Sequence, residues 1–245
     1  MTNDLGYRLI HLPEVDSTNR YLRDLPQEDE EMTVAVTDFQ TEGRGQRGNI
    51  WNSQPGVNLL FSVRLFPTFL GADKQFLLSQ IMSLALKRVL DRYVHEVTIK
   101  WPNDIYWHDQ KLCGILIEHD LQNESVHRTI IGVGINVNQA TFEGATFNPV
   151  SMRMITGGEV DREQLLHRIM KVFLEYYAEL QEGKTDTIAA RYHESLYRRF
   201  VKSLFTDAQG DFYAVIDHVD PDGRLVLRDE EGKMRRYTFK EIKFK

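Results

Sequence analysis

Residues 39–51 read Phe-Gln-Thr-Glu-Gly-Arg-Gly-Gln-Arg-Gly-Asn-Ile-Trp, and the character of the chain directly after them decides the fold. Gly43, Gly45 and Gly48 form a literal G-x-G-x-x-G, which marks a dinucleotide-binding turn only when a helix begins directly after it. Asn49, Ser53, Pro55 and Gly56 instead continue a loop, so the doubly wound reading fails. There remains a glycine loop carrying Arg44 and Arg47, whose backbone N–H groups and guanidinium forks suit phosphate or carboxylate oxygens. Taken alone, the same residues fit a surface loop equally well.

Working outward, Tyr7–Leu12 and Met32–Phe39 have strand patterns, and between them Asp16 or Ser17 is placed to cap a short helix through Tyr21 and Leu22. An acidic loop, Asp24–Glu31, comes after that helix. Beyond the glycines, Val57–Phe66 reads as a strand and Asp73–Tyr93 as a helix, with Leu77, Ile81 and Leu84 at helical spacing. Three more strands are expected at Val97–Trp101, Leu112–His119 and Thr129–Val137. The order Asp-x-x-Gln from Asp161 opens a helix with Leu165, Ile169, Phe173 and Tyr176 on one face, and a second helix covers Thr187–Leu196. After Arg198, short alternating strands are punctuated by Gly210, Pro221-Asp222-Gly223 and Glu231-Gly232, the spacing of a small hairpin-built barrel. The expected class is α+β, a mixed sheet with packed helices over residues 1–198 followed by a small β domain over 199–245.

The 245 residues are 42% hydrophobic and 27% charged, which is ordinary for a folded globular chain and excludes general disorder. A net charge of −6 argues against general nucleic-acid binding. Cys113 is the single cysteine, so an intrachain disulfide is impossible, and the eight histidines show no metal-ligand spacing. No run of about eighteen apolar residues occurs, and the first residues lack the order of a secretory signal, so the cytoplasm is expected and a membrane is not.

Other segments bear on the glycine loop. Lys100-Trp101-Pro102-Asn103-Asp104 ends a strand at a proline, leaving Asn103 and Asp104 to project from its end. Lys111 stands at the mouth of an apolar strand whose Gly114 permits close approach of a ligand or backbone. In Ile130–Asn138, glycines and asparagines alternate with β-branched residues, so one face packs and the other can admit a ligand.

Five ordered blocks then resemble a known family. Asp16-Ser17-Thr18-Asn19, Gln40 with Gly43–Gly48 and Trp51, Lys100–Asp104, Lys111–Glu118 and Gly132–Asn136 are similar to the motifs of biotin protein ligases, and span about half the chain. The resemblance implies a class II synthetase-like catalytic domain with an SH3-like C-terminal barrel. It implies synthesis of biotinyl-5'-adenylate from biotin and ATP, with Mg2+ accompanying ATP, and then transfer to a lysine of a biotin carboxyl-carrier protein. By the same resemblance Ser17, Thr18, Asn19 and Gln40 hold the biotin head, and Arg44, Gly45, Gln46, Lys111 and Gly114 line the rest of the biotin site. Gly43, Arg47, Gly48, Asn49, Trp51, Asn103, Lys111 and Asn136 belong to the nucleotide side.

The chemistry fits these residue types. Attack of a carboxylate on the α-phosphate builds charge on phosphoryl oxygens, which Arg44, Arg47 and Lys111 can balance. An acceptor lysine, with an ordinary pKa of about 10.4, must then lose a proton, and Asp104 is the candidate base. Gln46 and Asn49 stand where the family commonly has arginine, and Cys113 where it has a smaller residue. The rival of the same fold is a lipoate or octanoate ligase, disfavoured by the KWPND and GRGQRG segments. A rival of another class is a non-catalytic biotinyl-adenylate-binding regulator acting on DNA. About fifteen residues precede the first motif, too few for a multi-helix DNA-binding domain, so no DNA partner is expected. A homodimer is left open.

Overall fold

The computed structural model describes residues 6–26, 32–142 and 148–245; the first residues and most of the acidic Asp24–Glu31 loop lie outside the described residues. In chain order the elements are β1 (Arg8–Val15), α1 (Thr18–Asp24), β2 (Thr33–Gln40), β3 (Leu59–Leu65), α2 (Phe76–Val94), β4 (Val97–Lys100), β5 (Asp104–Trp107), β6 (Gln110–Gln122) and β7 (Ser125–Ile135). Three helices come next, α3 (Met152–Thr156), α4 (Arg162–Gln181) and α5 (Thr185–Glu194). The C-terminal strands are β8 (Ser203–Asp207), β9 (Gly210–Val219), β10 (Leu225–Asp229), β11 (Met234–Tyr237) and β12 (Lys243–Phe244).

A seven-stranded sheet runs in the order β1-β2-β3-β7-β6-β5-β4, mixed because β1 and β2 are parallel and the other pairs antiparallel. Its two faces arise from strand alternation. Leu59, Phe61, Val63 and Leu65 of β3, with Ile131, Val133 and Ile135 of β7, join α2 and α4 in the main core. The alternate residues of β3 face α1: Ser62 bonds Asn19, and buried Arg64 donates to the carbonyls of Leu22 and Leu25 at 3.4 and 2.9 Å, closing the C-terminal end of the helix. α2 is buried along most of its length, and the core it shares with α4 and α5 continues into the second sheet, ordered β11-β10-β9-β8-β12 and antiparallel.

Several boundaries differ from the sequence reading. The helix expected from Asp73 begins at Phe76, after a single 3-10 turn over Ala72–Lys74. Ser17 occupies the N-cap of α1 but its hydroxyl makes no capping bond, and neither does Asp16, whose carboxylate takes the Ser17 N–H and the Arg20 guanidinium. Asp161 does cap α4, accepting from Glu163 and Gln164 N–H at 2.9 and 3.0 Å. Asp104 is no projecting strand end: it opens β5, which the short spacing after Pro102 concealed, and pairs with Lys100 on one side and Gly114 on the other. α3 has no counterpart among the expected elements. The helix expected over 187–196 runs from Thr185 to Glu194.

Candidate functional site

After the glycines the chain makes one 3-10 turn over Gln46–Gly48 and returns to extended backbone, so no helix begins there. The loop closes on itself like a small hairpin, Gly45 N–H to Asn49 carbonyl at 2.7 Å and Trp51 N–H to Gly43 carbonyl at 2.9 Å. Two of its glycines have separate reasons. Gly48 has φ of +88°, and a Cβ on Gly43 would lie 2.2 Å from the Trp51 carbonyl oxygen.

The closed loop lays Trp51 on the sheet. A Cβ on Gly134 would meet its indole at 2.5 Å and one on Gly114 at 2.8 Å, while one on Gly132 would lie 2.1 Å from Asn19 Oδ1. The glycine face of β6 and β7, expected to admit a ligand directly, is thus filled by Trp51 and Asn19, and the ligand space lies beside and above them. That space is a cavity of about 530 Å³ between the loop, α1 and the sheet.

Most of the residues singled out from the sequence line this one cavity: Ser17, Thr18 and Asn19 of the α1 start, Gln40, the loop residues Arg44, Gly45, Gln46, Gly48, Asn49 and Trp51, then Asn103, Asp104, Lys111, Gly114 and Asn136. Gly43 lies behind the lining, where it seats Trp51. Arg47 belongs to the 3-10 turn, and its side chain lies outside what the structure describes. Lys100 does not reach the cavity; its Nζ sits 4.4 Å from the Tyr106 ring centre, with Tyr197 and Phe244 also around it.

At one end the cavity is neutral and hydrogen-bonding. Gln40 Oε1 accepts from Thr18 N–H at 2.9 Å, Thr18 Oγ1 meets Ser62 Oγ at 2.6 Å, and Ser62 donates to Asn19 Oδ1 at 2.6 Å. Asn19 Nδ2 donates to Glu118 Oε2 at 2.8 Å. Glu118 Oε1 faces Arg23 at 2.6 Å and Arg44 at 3.3 Å. Burial alone would raise the Glu118 carboxyl, but the Asn19 and Arg23 bonds and the charges of Arg23 and Arg44 hold it below the usual carboxylate range.

The other end is charged. Lys111 Nζ lies 2.9 Å from Asp104 Oδ1 and 5.8 Å from the Trp51 ring centre. Asp104 is the single carboxylate among the described lining residues. Asn103 donates to the Ile115 carbonyl and Asn136 to the carbonyls of Lys111 and Val150, so both amides brace the strands that carry Lys111 and Gly114. Two buried polar atoms here have no hydrogen-bond partner among the described residues, Gln46 Oε1 and Trp51 Nε1.

Sequence reasoning missed Ser62, Gln139, Phe142, Pro149 and Phe239. Ser62 had a signal, a serine interrupting the apolar run Leu59–Val63. Phe239 had none, because it reaches the cavity from the C-terminal sheet, where its ring meets Trp101 edge-on at 6.1 Å.

This architecture has close counterparts. The biotin protein ligase of Aquifex aeolicus, solved in complex with biotin and ATP, superposes with a TM-score of 0.80 at 27% identity, over 97% of this chain and 98% of that one. The bifunctional ligase/repressor BirA of Escherichia coli is 30% identical over 97% of this chain and 74% of its own length. The biotin--[acetyl-CoA-carboxylase] ligase of Paracoccus denitrificans is 28% identical over 79% of this chain and 83% of its own. Residues 12–136, which carry α1, the glycine loop and the Asp104–Lys111 pair, match the profile of one family. The chain belongs to the biotin/lipoate A/B protein ligase family.

Proposed function

We propose that this chain is an ATP-dependent biotin ligase: it joins the carboxylate of biotin to the α-phosphate of ATP, releasing pyrophosphate, and passes the biotinyl group to a lysine of a biotin carboxyl-carrier protein, releasing AMP. The observation that carries the reading is the division of one cavity into a neutral, hydrogen-bonding end and a cationic end. A cyclic urea is uncharged and needs both donors and acceptors, which Ser17, Thr18 and Gln40 offer. The biotin tail then runs towards Lys111, where carboxylate and phosphoryl charge must be balanced.

Arg44 is paired with Glu118, so its charge at the phosphate requires it to turn from that carboxylate. Lys111 is paired with Asp104. When Lys111 engages the phosphoryl oxygens, Asp104 is released from its cation, and a freed carboxylate at the cavity edge can take the proton of the incoming lysine amine. Magnesium arrives as part of the nucleotide substrate; the described residues hold no cluster of three metal-ligating side chains, and Asp104 alone offers a lining carboxylate. Among the described residues no helix is long and apolar enough to cross a membrane, and a cytoplasmic setting, where a carrier protein and a reduced, buried Cys113 are both at home, completes the reading. Residues 1–198 form the catalytic domain and 199–245 an SH3-like β domain that reaches the cavity through Phe239.

The test is incubation with ATP, magnesium, labelled biotin and an isolated carrier domain, with lipoate as competitor. ATP-dependent labelling of one carrier lysine that lipoate does not suppress is expected. Efficient use of lipoate would assign the other branch of the family, and adenylate formation without transfer would favour a non-catalytic binding protein.

A further inference from the structure

Glu118 stands outside the cavity lining but at the end of the hydrogen-bond chain that reaches it, and its chemistry constrains every link. An ionised carboxylate accepts and cannot donate. The Asn19 amide must therefore turn Nδ2 towards Glu118, at 2.8 Å, which leaves Oδ1 facing Ser62. Ser62 has one hydroxyl proton, and it is spent on that oxygen at 2.6 Å. The 2.6 Å bond between Ser62 and Thr18 must then be donated by Thr18, whose single proton can be shared with Gln40 Oε1, 3.1 Å away, but with nothing else. Gln40 Oε1 is already held by the Thr18 N–H.

Two groups at the cavity emerge with a fixed character. Thr18 Oγ1, its proton committed, can only accept. Gln40, its oxygen engaged, offers Nε2, which can only donate. The chain cannot reverse by turning the Asn19 amide, because Nδ2 also donates to the Leu116 carbonyl at 3.4 Å, which would then face an oxygen, and Glu118 stays an acceptor beside Arg23 and Arg44.

We propose that Glu118 is a positioning residue that sets the hydrogen-bond polarity of the head pocket at Thr18: it leaves Thr18 Oγ1 an acceptor for a ligand N–H, beside the Gln40 Nε2 donor that the Thr18 backbone N–H fixes independently, and together they match a cyclic urea. The proposal rests on the biotin reading and deepens it. The side chain touches no substrate; it acts through Asn19, Ser62 and Thr18 in turn. A ligand that places an oxygen where biotin has that N–H meets an acceptor with an acceptor, and is refused.

The experiment measures dissociation constants of the full-length protein for biotin, desthiobiotin, which keeps the urea, and a cyclic carbamate analogue of biotin, which replaces the urea N–H facing Thr18 with a ring oxygen. In Glu118→Gln the terminal group can donate or accept, so the chain no longer has one direction. The preference for biotin over the carbamate should shrink about tenfold or more, the scale of one mismatched buried polar pair, while the ratio of biotin to desthiobiotin holds. Ser62→Ala cuts the chain with Glu118 and both arginines in place and should shrink the same preference, which separates polarity from any effect on the glycine loop and serves if Glu118→Gln fails to fold. Loss of charge alone would leave the preference unmoved, since the urea and carbamate heads are both uncharged. Equal weakening of all three ligands, or a preference that survives Ser62→Ala, would overturn the proposal. Failure of the unaltered protein to bind biotin would overturn the functional reading and this one with it; biotin binding with an unmoved preference would remove this one alone.

Discussion

Asp104 sits 2.9 Å from Lys111, where it holds the cation, and the proposed proton acceptance is separable from that. Asp104→Asn keeps the shape and removes the basicity. If proton acceptance is its duty, transfer from preformed biotinyl-adenylate to the carrier slows by about 100-fold or more, well beyond the slowing of adenylate synthesis. Single-turnover measurement of each half-reaction checks this, and equal slowing of both would leave Asp104 as the holder of Lys111 only. Gln46 poses a different question, because its Oε1 is buried without a partner among the described residues, on the loop that lines the cavity proposed to hold the activated intermediate. Its neutral amide forms hydrogen bonds about half as strong as the charge-assisted bonds of a guanidinium. Gln46→Arg should therefore slow the escape of biotinyl-adenylate by about tenfold, read as dissociation of labelled adenylate and as less labelling of bystander lysines. Equal or faster release from the variant would mean that the loop backbone, and not charge at this position, retains the intermediate.

The strands β6 and β7 act as a seat for the loop, which makes their glycines testable as a unit. Gly134→Ala places a methyl 2.5 Å from the Trp51 indole, with strand backbone behind it that cannot withdraw. Trp51 should be expelled, freeing the loop while costing the folded state about 1–3 kcal/mol of overpacking. Faster tryptic cleavage after Arg44 and Arg47 with unchanged strand content would show it; an unaltered cleavage rate would mean that the loop is held without Trp51. The alternation in Ile130–Asn138 was readable because glycine and β-branched residues have opposite steric demands, and the same logic separated the glycine loop from a dinucleotide-binding turn. Elements without such contrast were harder. β5 lies too close to Pro102 for its four residues to register as a strand, and the five residues of α3 are too few for helical periodicity. In the C-terminal sheet the turns at Gly210, Asp222-Gly223 and Gly232 announced the hairpins, yet nothing local marks Phe239 as a cavity residue, since its place depends on how the second sheet meets the first. Ser62 is intermediate: the pattern exposes it as odd, and only the position of Asn19 gives it a use.

Beside the shared core, specific polar and packing contacts tie the C-terminal sheet to the rest of the molecule. Trp101 Nε1 donates to the Gly223 carbonyl at 2.9 Å, Phe76 of α2 packs where a Gly223 Cβ would stand, and the Val219 N–H donates to His193 Nε2 at 3.1 Å. His193 Nε2 lies 3.1 Å from the Val219 carbonyl as well; accepting from the N–H needs a neutral imidazole, and burial lowers the His193 pKa against the opposing effect of the carbonyl bond. A second histidine behaves alike on the catalytic sheet: burial pushes His119, bonded to Thr129 at 2.9 Å, down to about 4, against the opposing charge of Asp120. A base whose folded pKa lies below its unfolded value of about 6.5 contributes stability that is complete above that value and is lost as pH falls towards the folded one. His119 alone should remove about 2 kcal/mol by pH 5, and on the order of 3 kcal/mol once the folded imidazole has also taken its proton. His218, held between Asp217 and Asp220, has its pKa raised despite burial and so opposes the trend in the same range, where its added stability is present in acid and lost as pH rises. With two imidazoles against one, urea midpoints should fall between about pH 7.5 and pH 5, before most carboxylates protonate. His119→Gln keeps a hydrogen-bonding partner for Thr129 without a titrating ring, so its midpoint should fall less over the same interval. A variant whose midpoint falls as far as that of the unaltered chain would move the origin of the acid sensitivity to the junction between the sheets, where His193 meets Val219.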